Sequence, residues 1–502
     1  MLRSPLPLGT LDLDPAAAAP LYRQLYDALR GAILDGRLAA GARLPSSRIL
    51  AVDLGVGRNT VLSAYEQLAA EGYLEGQVGA GTKVASVLPD RLLEVGRPRT
   101  DTRTAKPEAA AKLSRRGETI ASVKRTAPRY ERGQGRAFQH GLPAIDQFPA
   151  ALWSRFLARC ARDPRNGLFG YETGEGFRPL REAIAAHAGA ARGVVCTPDQ
   201  VIVTTGAQAA LDLAARMVID PGDDVWIEEP GYLGARGAFL GAGAELVPVP
   251  VDGEGIDVEA GISAGRTPRL IYVTPSHQFP LGVTLSLPRR LQLLDFARRE
   301  RCWILEDDYD SEYRYAGRPL ASLQGLDRAG RVLYMGTFAK TLFPALKVGY
   351  LIVPDTLIDA FRTAIRITGH VPPSAVQSAL ADFIGEGHFG THVRRMRAVY
   401  AARQACLVAA IDAELGTFLE AAPGDGGMQL VAYLAPHASD REASEAAAEA
   451  GIQVTPLSAY HLGARRRNGL HMGFAAIPET QIGKSARRLA AILRESGTPR
   501  RV

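Results

Sequence analysis

Apolar residues recur at helical spacing almost from the start of the chain. Leu21, Leu25, Ala28, Leu29, Ala32 and Ile33 share one face and predict a helix over 20–34 that Gly36 ends. A bend at 38–45 follows, and Ser46 or Ser47 is placed to cap a second helix over 48–54. Gly55-Val-Gly57 reads as a tight turn. Val61, Ala64, Tyr65 and Leu68 then give the inner stripe of a third helix over 58–71. A strand from Gly72 and a glycine-tipped hairpin at 79–82 complete the segment. Helix, helix, turn, helix and hairpin is the order of a winged helix-turn-helix, expected over 15–86.

Residues 87–136 are rich in Arg, Ala, Thr, Pro, Lys and Glu and poor in apolar side chains, so they read as a linker with at most a little helix. From 137 to 497 the globular pattern resumes. Short apolar runs at 201–204, 225–228, 270–273, 303–305, 332–335 and 348–353 alternate with helical patterns and predict an α/β sheet. Four of these strands deliver polar clusters at their C-terminal ends, where doubly wound sheets place ligands. Beyond 354 the pattern predicts an α/β lobe, with helices at 371–383, 392–412 and 482–493 and strands at 428–434, 452–455 and 470–474.

The chain has 502 residues and 46% hydrophobic content, enough for more than one domain. The net charge of +6 is compatible with a polyanionic partner without demanding one. Cys160, Cys196, Cys302 and Cys406 form no C-x-x-C pair, so neither a metal nor a redox motif is indicated, and they read as small buried hydrophobes in a reduced cytoplasm. No signal peptide is legible, and no run approaches the ~20 apolar residues of a membrane span.

Candidate chemistry concentrates at Lys340, which lies between two apolar runs. Burial there disfavours its charged form and makes the amine a nucleophile for an aldehyde. Lys347 adds a cation suited to a phosphate and Thr337 a hydroxyl, while Asp307 and Tyr309 lie at the end of an upstream strand. A lysine, a carboxylate and a phosphate cradle are what pyridoxal 5'-phosphate requires. The backbone of Gly206, Ala207 and Gln208, at a strand-to-helix turn, can approach a phosphate. In the N-terminal segment, Arg58, Asn59 and Thr60 open the third helix at the end suited to a major groove. Ser46, Ser47 and Arg48 lie at a helix N-terminus that favours DNA phosphate.

The phrases Gly141-Leu-Pro, Gly170-Tyr171, Thr205-Gly-Ala-Gln208, Glu229-Pro-Gly-Tyr232, Thr274-Pro-Ser-His-Gln-Phe-Pro280 and Glu306-Asp-Asp-Tyr309, with the Lys340 stretch, resemble a fold-type I aminotransferase as it occurs in the MocR type of GntR-family transcription regulators. Leu44-Pro-Ser-Ser-Arg48, Arg58-Asn-Thr60 and Gly79-Ala-Gly81 resemble the DNA-binding domain of the same family. The resemblance implies that Asp307 pairs the pyridine nitrogen, Tyr309 donates to the ring phenolic oxygen and Tyr232 stacks on the ring. It further implies that residues 206–208, Thr337 and Lys347 hold the phosphate, and that Tyr171 reaches the site of a partner subunit in a homodimer. Asp308, Asp310 and Glu312 read as a solvated acidic turn.

Two departures bear on function. His471 stands where aminotransferases carry an arginine that grips the substrate carboxylate, and Lys347 replaces another arginine with a point charge. The expectation is therefore a DNA-binding regulator that responds to pyridoxal phosphate itself or to an amine whose acid group is gripped elsewhere, for instance by Arg236. Turnover should be slow or absent. An active aminotransferase carrying an added helix-turn-helix is the alternative.

Overall fold

A computed structural model describes residues 13–77, 81–86, 112–123, 136–162, 170, 174–315, 321–463 and 467–501. The chain divides into two compact units, Met1–Ala111 and Lys112–Val502.

The first unit contains α1 (Leu21–Leu34), α2 (Ser47–Leu54), α3 (Arg58–Ala70) and the antiparallel pair β1 (Leu74–Gln77) and β2 (Gly81–Val84). Leu25, Leu29 and Ile33 of α1 meet Leu50 of α2 and Val61 and Leu68 of α3 in one small core. Ser46 caps α2 by accepting from the amide of Ile49, and Gly55 ends it in the left-handed region at φ 67°. The Tyr65 hydroxyl donates to the Pro45 carbonyl at 3.0 Å and ties α3 to the turn before α2. The amide of Leu44 donates to the carbonyl of Thr82, which docks β2 against that same turn.

The second unit begins with α4 (Arg115–Ser122), which lies inside the expected linker, capped by Ser114. It continues through α5 (Ala150–Arg162), α6 (Arg178–Arg192), β3 (Val201–Thr204), α7 (Ala207–Val218), β4 (Asp224–Glu229), α8 (Leu233–Ala242), β5 (Glu245–Asp252), β6 (Gly255–Ile256) and β7 (Leu270–Val273). Then come the helix Leu287–Glu300, β8 (Trp303–Asp308), β9 (Val332–Thr337) and β10 (Gly349–Ile352). The helix α4 does not float free: a carbon added at Gly241 of α8 would lie 3.4 Å from Ile120.

The large sheet has the order β3-β10-β9-β8-β7-β4-β5-β6. Strands β9, β8, β7, β4 and β5 run parallel; the nearly continuous apolar sequences of β9, β8, β7 and β4 are buried by helices on both faces, whereas burial alternates along β5 near the sheet edge. Strand β10 runs antiparallel to both β9 and β3. The loop between β9 and β10 is too short for a crossover helix, so the chain turns straight back. Consequently Lys347, just before β10, arrives at the same rim as the C-terminal ends of β3 and β9. A lysine two positions before the start of β10 thus reaches a site otherwise built from strand C-termini.

A second sheet, ordered β11 (Leu419–Ala422), β12 (Gln429–Leu434), β14 (Gly469–Gly473), β13 (Thr455–Pro456), packs on the long helix His388–Ala410 and the last helix Glu479–Glu495. The strand expected over 452–455 shrinks to Thr455–Pro456. Ile452 instead bridges Ala137, and Pro456 has no N–H with which to extend the ladder.

Candidate functional site

Strand ends β3, β4, β7, β8 and β9 converge on a cavity of about 620 Å³. Lys340, Asp307, Tyr309, Tyr232, Ala207, Gln208, Thr337 and Lys347 all line it. Eight side chains spread over 140 positions of sequence are thus brought together, as the strand-end argument requires.

Lys340 donates to the carbonyl of Gly141 at 2.9 Å. Burial lowers its pKa and outweighs the opposing pull of Asp310 and Asp307. Asp307 sits beside it on β8. Burial pushes its carboxyl up to about 7, the Tyr272 hydroxyl pulls it back, and neighbouring Asp308 and Asp310 push it further up. Its Oδ2 accepts from Tyr272 at 2.7 Å, while Oδ1 is buried with no partner among the described residues. A buried carboxylate oxygen without a donor is costly, and a protonated ring nitrogen is the kind of group that would satisfy it.

The anion-suited end of the cavity is built from glycines and a helix start. Gly206 caps α7 at φ 93°, a conformation that glycine alone adopts freely. The first-turn amides of α7, at Ala207 and Gln208, have no intrahelical acceptor. Gly349 of β10 packs against this turn, and a Cβ there would lie 2.8 Å from the carbonyl carbon of Gly206. Lys347 is exposed beside it and adopts φ 53°. The Thr337 hydroxyl accepts from the amide of Ala339 at 3.2 Å. Tyr232 packs edge-on to Phe279, with ring centroids 5.4 Å apart.

His471 and Arg236, the two expected effector contacts, do not line the cavity. His471 is fully buried, its Nδ1 3.0 Å from the Tyr460 hydroxyl, and burial holds its pKa well below the usual imidazole value. Arg236 is turned away to the Tyr460 carbonyl and Glu229, because Glu229 offers the nearest carboxylate in a buried setting. Among the described residues the cavity has no arginine in its lining.

The acidic turn is not solvated. Asp308 and Asp310 are buried. Asp308 accepts from Arg192 Nε at 2.7 Å and from the Tyr334 hydroxyl at 2.6 Å, and Asp310 pairs with His277. The alternation of a strand end delivers these carboxylates inward to partners that are remote in sequence. Glu312 is half-buried, 3.4 Å from His187. Tyr171 lies outside the described residues.

Several lining residues carry no assignment from the sequence: His140, Tyr272, Thr274, Gln429 and Tyr460. Glu228 lies beneath them, accepting from the Thr274 hydroxyl and amide and from Gln278, and burial pushes it up to about 7. Only Thr274 and Gln278 stood inside a motif. The others come from positions whose sequence context is ordinary strand or loop.

In the first unit, Ser46, Arg48, Arg58 and Asn59 are exposed, Ser47 and Thr60 half-buried, and Gly81 is exposed at φ 85°. The N-termini of α2 and α3 therefore present the polar groups that the sequence singled out.

Known proteins match along both units. The family model "Bacterial regulatory proteins, gntR family" matches residues 21–84, and "Aminotransferase class I and II" matches residues 154–489. A probable rhizopine catabolism regulatory protein, MocR, of Rhizobium meliloti is 47% identical over 94% of this chain and 93% of its own. The HTH-type pyridoxine biosynthesis transcriptional regulator PdxR of Corynebacterium glutamicum is 31% identical over 93% of this chain and 94% of its own. Among solved structures, the α-aminoadipate aminotransferase LysN of Thermus thermophilus aligns at 29% identity with a TM-score of 0.67, covering 72% of this chain and 92% of LysN. Fold and site thus define a helix-turn-helix protein carrying a fold-type I aminotransferase domain, a fold family that generally uses pyridoxal phosphate. The chain belongs to the MocR-type subfamily of GntR-family transcription regulators.

Proposed function

We propose that this chain binds pyridoxal 5'-phosphate through Lys340 and regulates transcription from a double-stranded DNA operator according to what occupies the cavity. One observation carries the cofactor half: Asp307, which lines the same cavity as Lys340, keeps a buried Oδ1 without a partner among the described residues. In support, the similar LysN structure is a complex with N-(5'-phosphopyridoxyl)-L-leucine. The cofactor supplies an aldehyde for Lys340 and a conjugated ring. The chain supplies a desolvated amine, a carboxylate for the ring nitrogen, Tyr309 for the ring oxygen, Tyr232 as a stacking face, and the 206–208 amides with Thr337 and Lys347 for the phosphate.

The effector is an amine, or the cofactor itself. An ordinary α-amino acid would lack the bidentate arginine that anchors its carboxylate, since Arg236 is engaged elsewhere and His471 is buried and neutral. A charge-assisted hydrogen bond is worth about 1.5–3 kcal/mol, so its loss weakens α-amino acids and disfavours the aminotransferase alternative. The working unit is a homodimer in the cytoplasm, with Tyr171 reaching the partner's site. The test is operator footprinting with and without pyridoxal phosphate, on the wild type and on Lys340→Ala, alongside a panel of amines followed by visible absorption. Protection that responds to the cofactor in the wild type alone is the expected result. Fast conversion of ordinary α-amino acids, with footprints indifferent to the cofactor, would establish the enzyme instead.

A further inference from the structure

Tyr309 is held by a residue that no role above uses. Its hydroxyl lies 3.0 Å from His277 Nδ1 and 2.9 Å from the backbone carbonyl of His277. The same Nδ1 lies 3.0 Å from Oδ2 of Asp310, and both of these side chains are buried. One hydrogen therefore occupies the line between Nδ1 and Asp310. Whichever of the two carries it, Nδ1 is not free to accept the phenol's own hydrogen. That hydrogen has two remaining destinations: the His277 carbonyl, or an oxygen inside the cavity.

We propose that His277, locked by Asp310, is a positioning residue that makes Tyr309 a one-way hydrogen-bond donor to an anionic oxygen on the cofactor ring. The inference rests on the cofactor reading above. The far side of the imidazole is built for this role. Nε2 is buried without a partner, beside a second cavity of about 20 Å³ lined by Ser276, Asp310, Arg314 and Asp425. That volume accommodates about one water molecule, which would let the imidazole exchange its proton without opening the main cavity. Gly427 makes room for the ring: a side-chain carbon there would occupy the imidazole's own space, and its φ is 86°. Burial disfavours a charged imidazole, but Asp310 outweighs it and holds the His277 pKa above its ordinary value, against the opposing charge of Arg314. The other titratable groups facing the trio are Arg192 and Asp425 across the small cavity, Asp308 and Glu312 beside Asp310, His471 beside His277, and Asp307, Glu228 and Lys340 around Tyr309 and Asp310.

The experiment is a pH titration of the visible band of the full chain loaded with pyridoxal phosphate, with cofactor retention and circular dichroism measured for each variant. In the wild type, appearance of the band tests the cofactor reading. In His277→Leu the ring oxygen loses its oriented donor, so the titration midpoint should rise by roughly one pH unit or more. His277→Asn, whose amide N–H can stand in for Nδ1–H, should recover most of that shift. In a Tyr309→Phe background, His277→Leu should add nothing. A wild-type band with a midpoint indifferent to His277→Leu would overturn this role while leaving the cofactor reading intact. An equal shift in the Tyr309→Phe background would do the same, and absence of any wild-type band would overturn both.

Discussion

The phenol of Tyr272 donates to one oxygen of Asp307 across 2.7 Å, and no described residue serves the other. The site thus keeps a half-satisfied carboxylate, raised from its ordinary value near about 4 to about 7 chiefly by burial. A carboxyl whose pKa rises on folding binds its proton more tightly in the folded chain, so stability falls as pH climbs through that window. Asp307→Asn should therefore make the cofactor-free protein more stable at pH 8, by on the order of a few kcal/mol. The same change should weaken cofactor retention. Thermal unfolding with and without pyridoxal phosphate measures both effects, and a variant less stable in both states would contradict this account.

Glu229 behaves oppositely. Burial pushes its carboxyl up, but His461, the amides of Gly463 and Leu462, and Arg236 together hold it below its ordinary value. A depressed folded pKa contributes stability above the unfolded value and loses it as pH falls through the folded one. Because His461, Leu462 and Gly463 sit on the loop after Tyr460, the carboxylate clasps that loop to the end of β4. Glu229→Gln should destabilise the protein at pH 7, and the difference from wild type should disappear as pH falls through the lowered folded pKa of Glu229. Unfolding midpoints in denaturant across pH 3–8 would test this, and a pH-independent loss would argue against the clasp.

Gly349 has no room for a side chain. An added methyl group would press on the backbone of Gly206 and Ala207, the turn that opens α7. Gly349→Ala should cost about 1–3 kcal/mol as overpacking, and should weaken binding of inorganic phosphate and of the phosphorylated cofactor more than that of pyridoxal. Calorimetric titration with the three ligands separates a local distortion of the cradle from general loss of structure, which would weaken all three alike.

Arg58 is exposed at the first position of α3. If it reads a base edge, Arg58→Ala should cost about 1–3 kcal/mol and relax operator preference, whereas Arg48→Ala should weaken all sequences evenly and lessen the salt slope by about 0.9. Fluorescence anisotropy with operator and scrambled duplexes over a range of salt would distinguish them. An Arg58→Ala variant with unchanged preference would remove it from the reading surface.

Local periodicity by itself determined the helices of the first unit, the buried strands of the second, and the residues at strand ends. Leu25, Leu29 and Ile33 repeat at helical spacing, and runs such as Leu270–Val273 are too apolar and too short to be anything but buried strands. Lys340, Asp307 and Lys347 were legible because their chemistry sits beside those runs. Only the tertiary structure decided who faces whom. Strand β10 turns back rather than crossing over, which carries Lys347 to Gly206. Asp308 and Asp310 are acidic in sequence, yet Arg192 and His277, more than thirty positions away in each case, make them buried partners. Arg236 carries the charge suited to an effector, but Glu229 and the Tyr460 carbonyl claim it first. A residue's chemistry is local, whereas its burial and its hydrogen-bond partner are set by chain segments that meet only when the sheet closes.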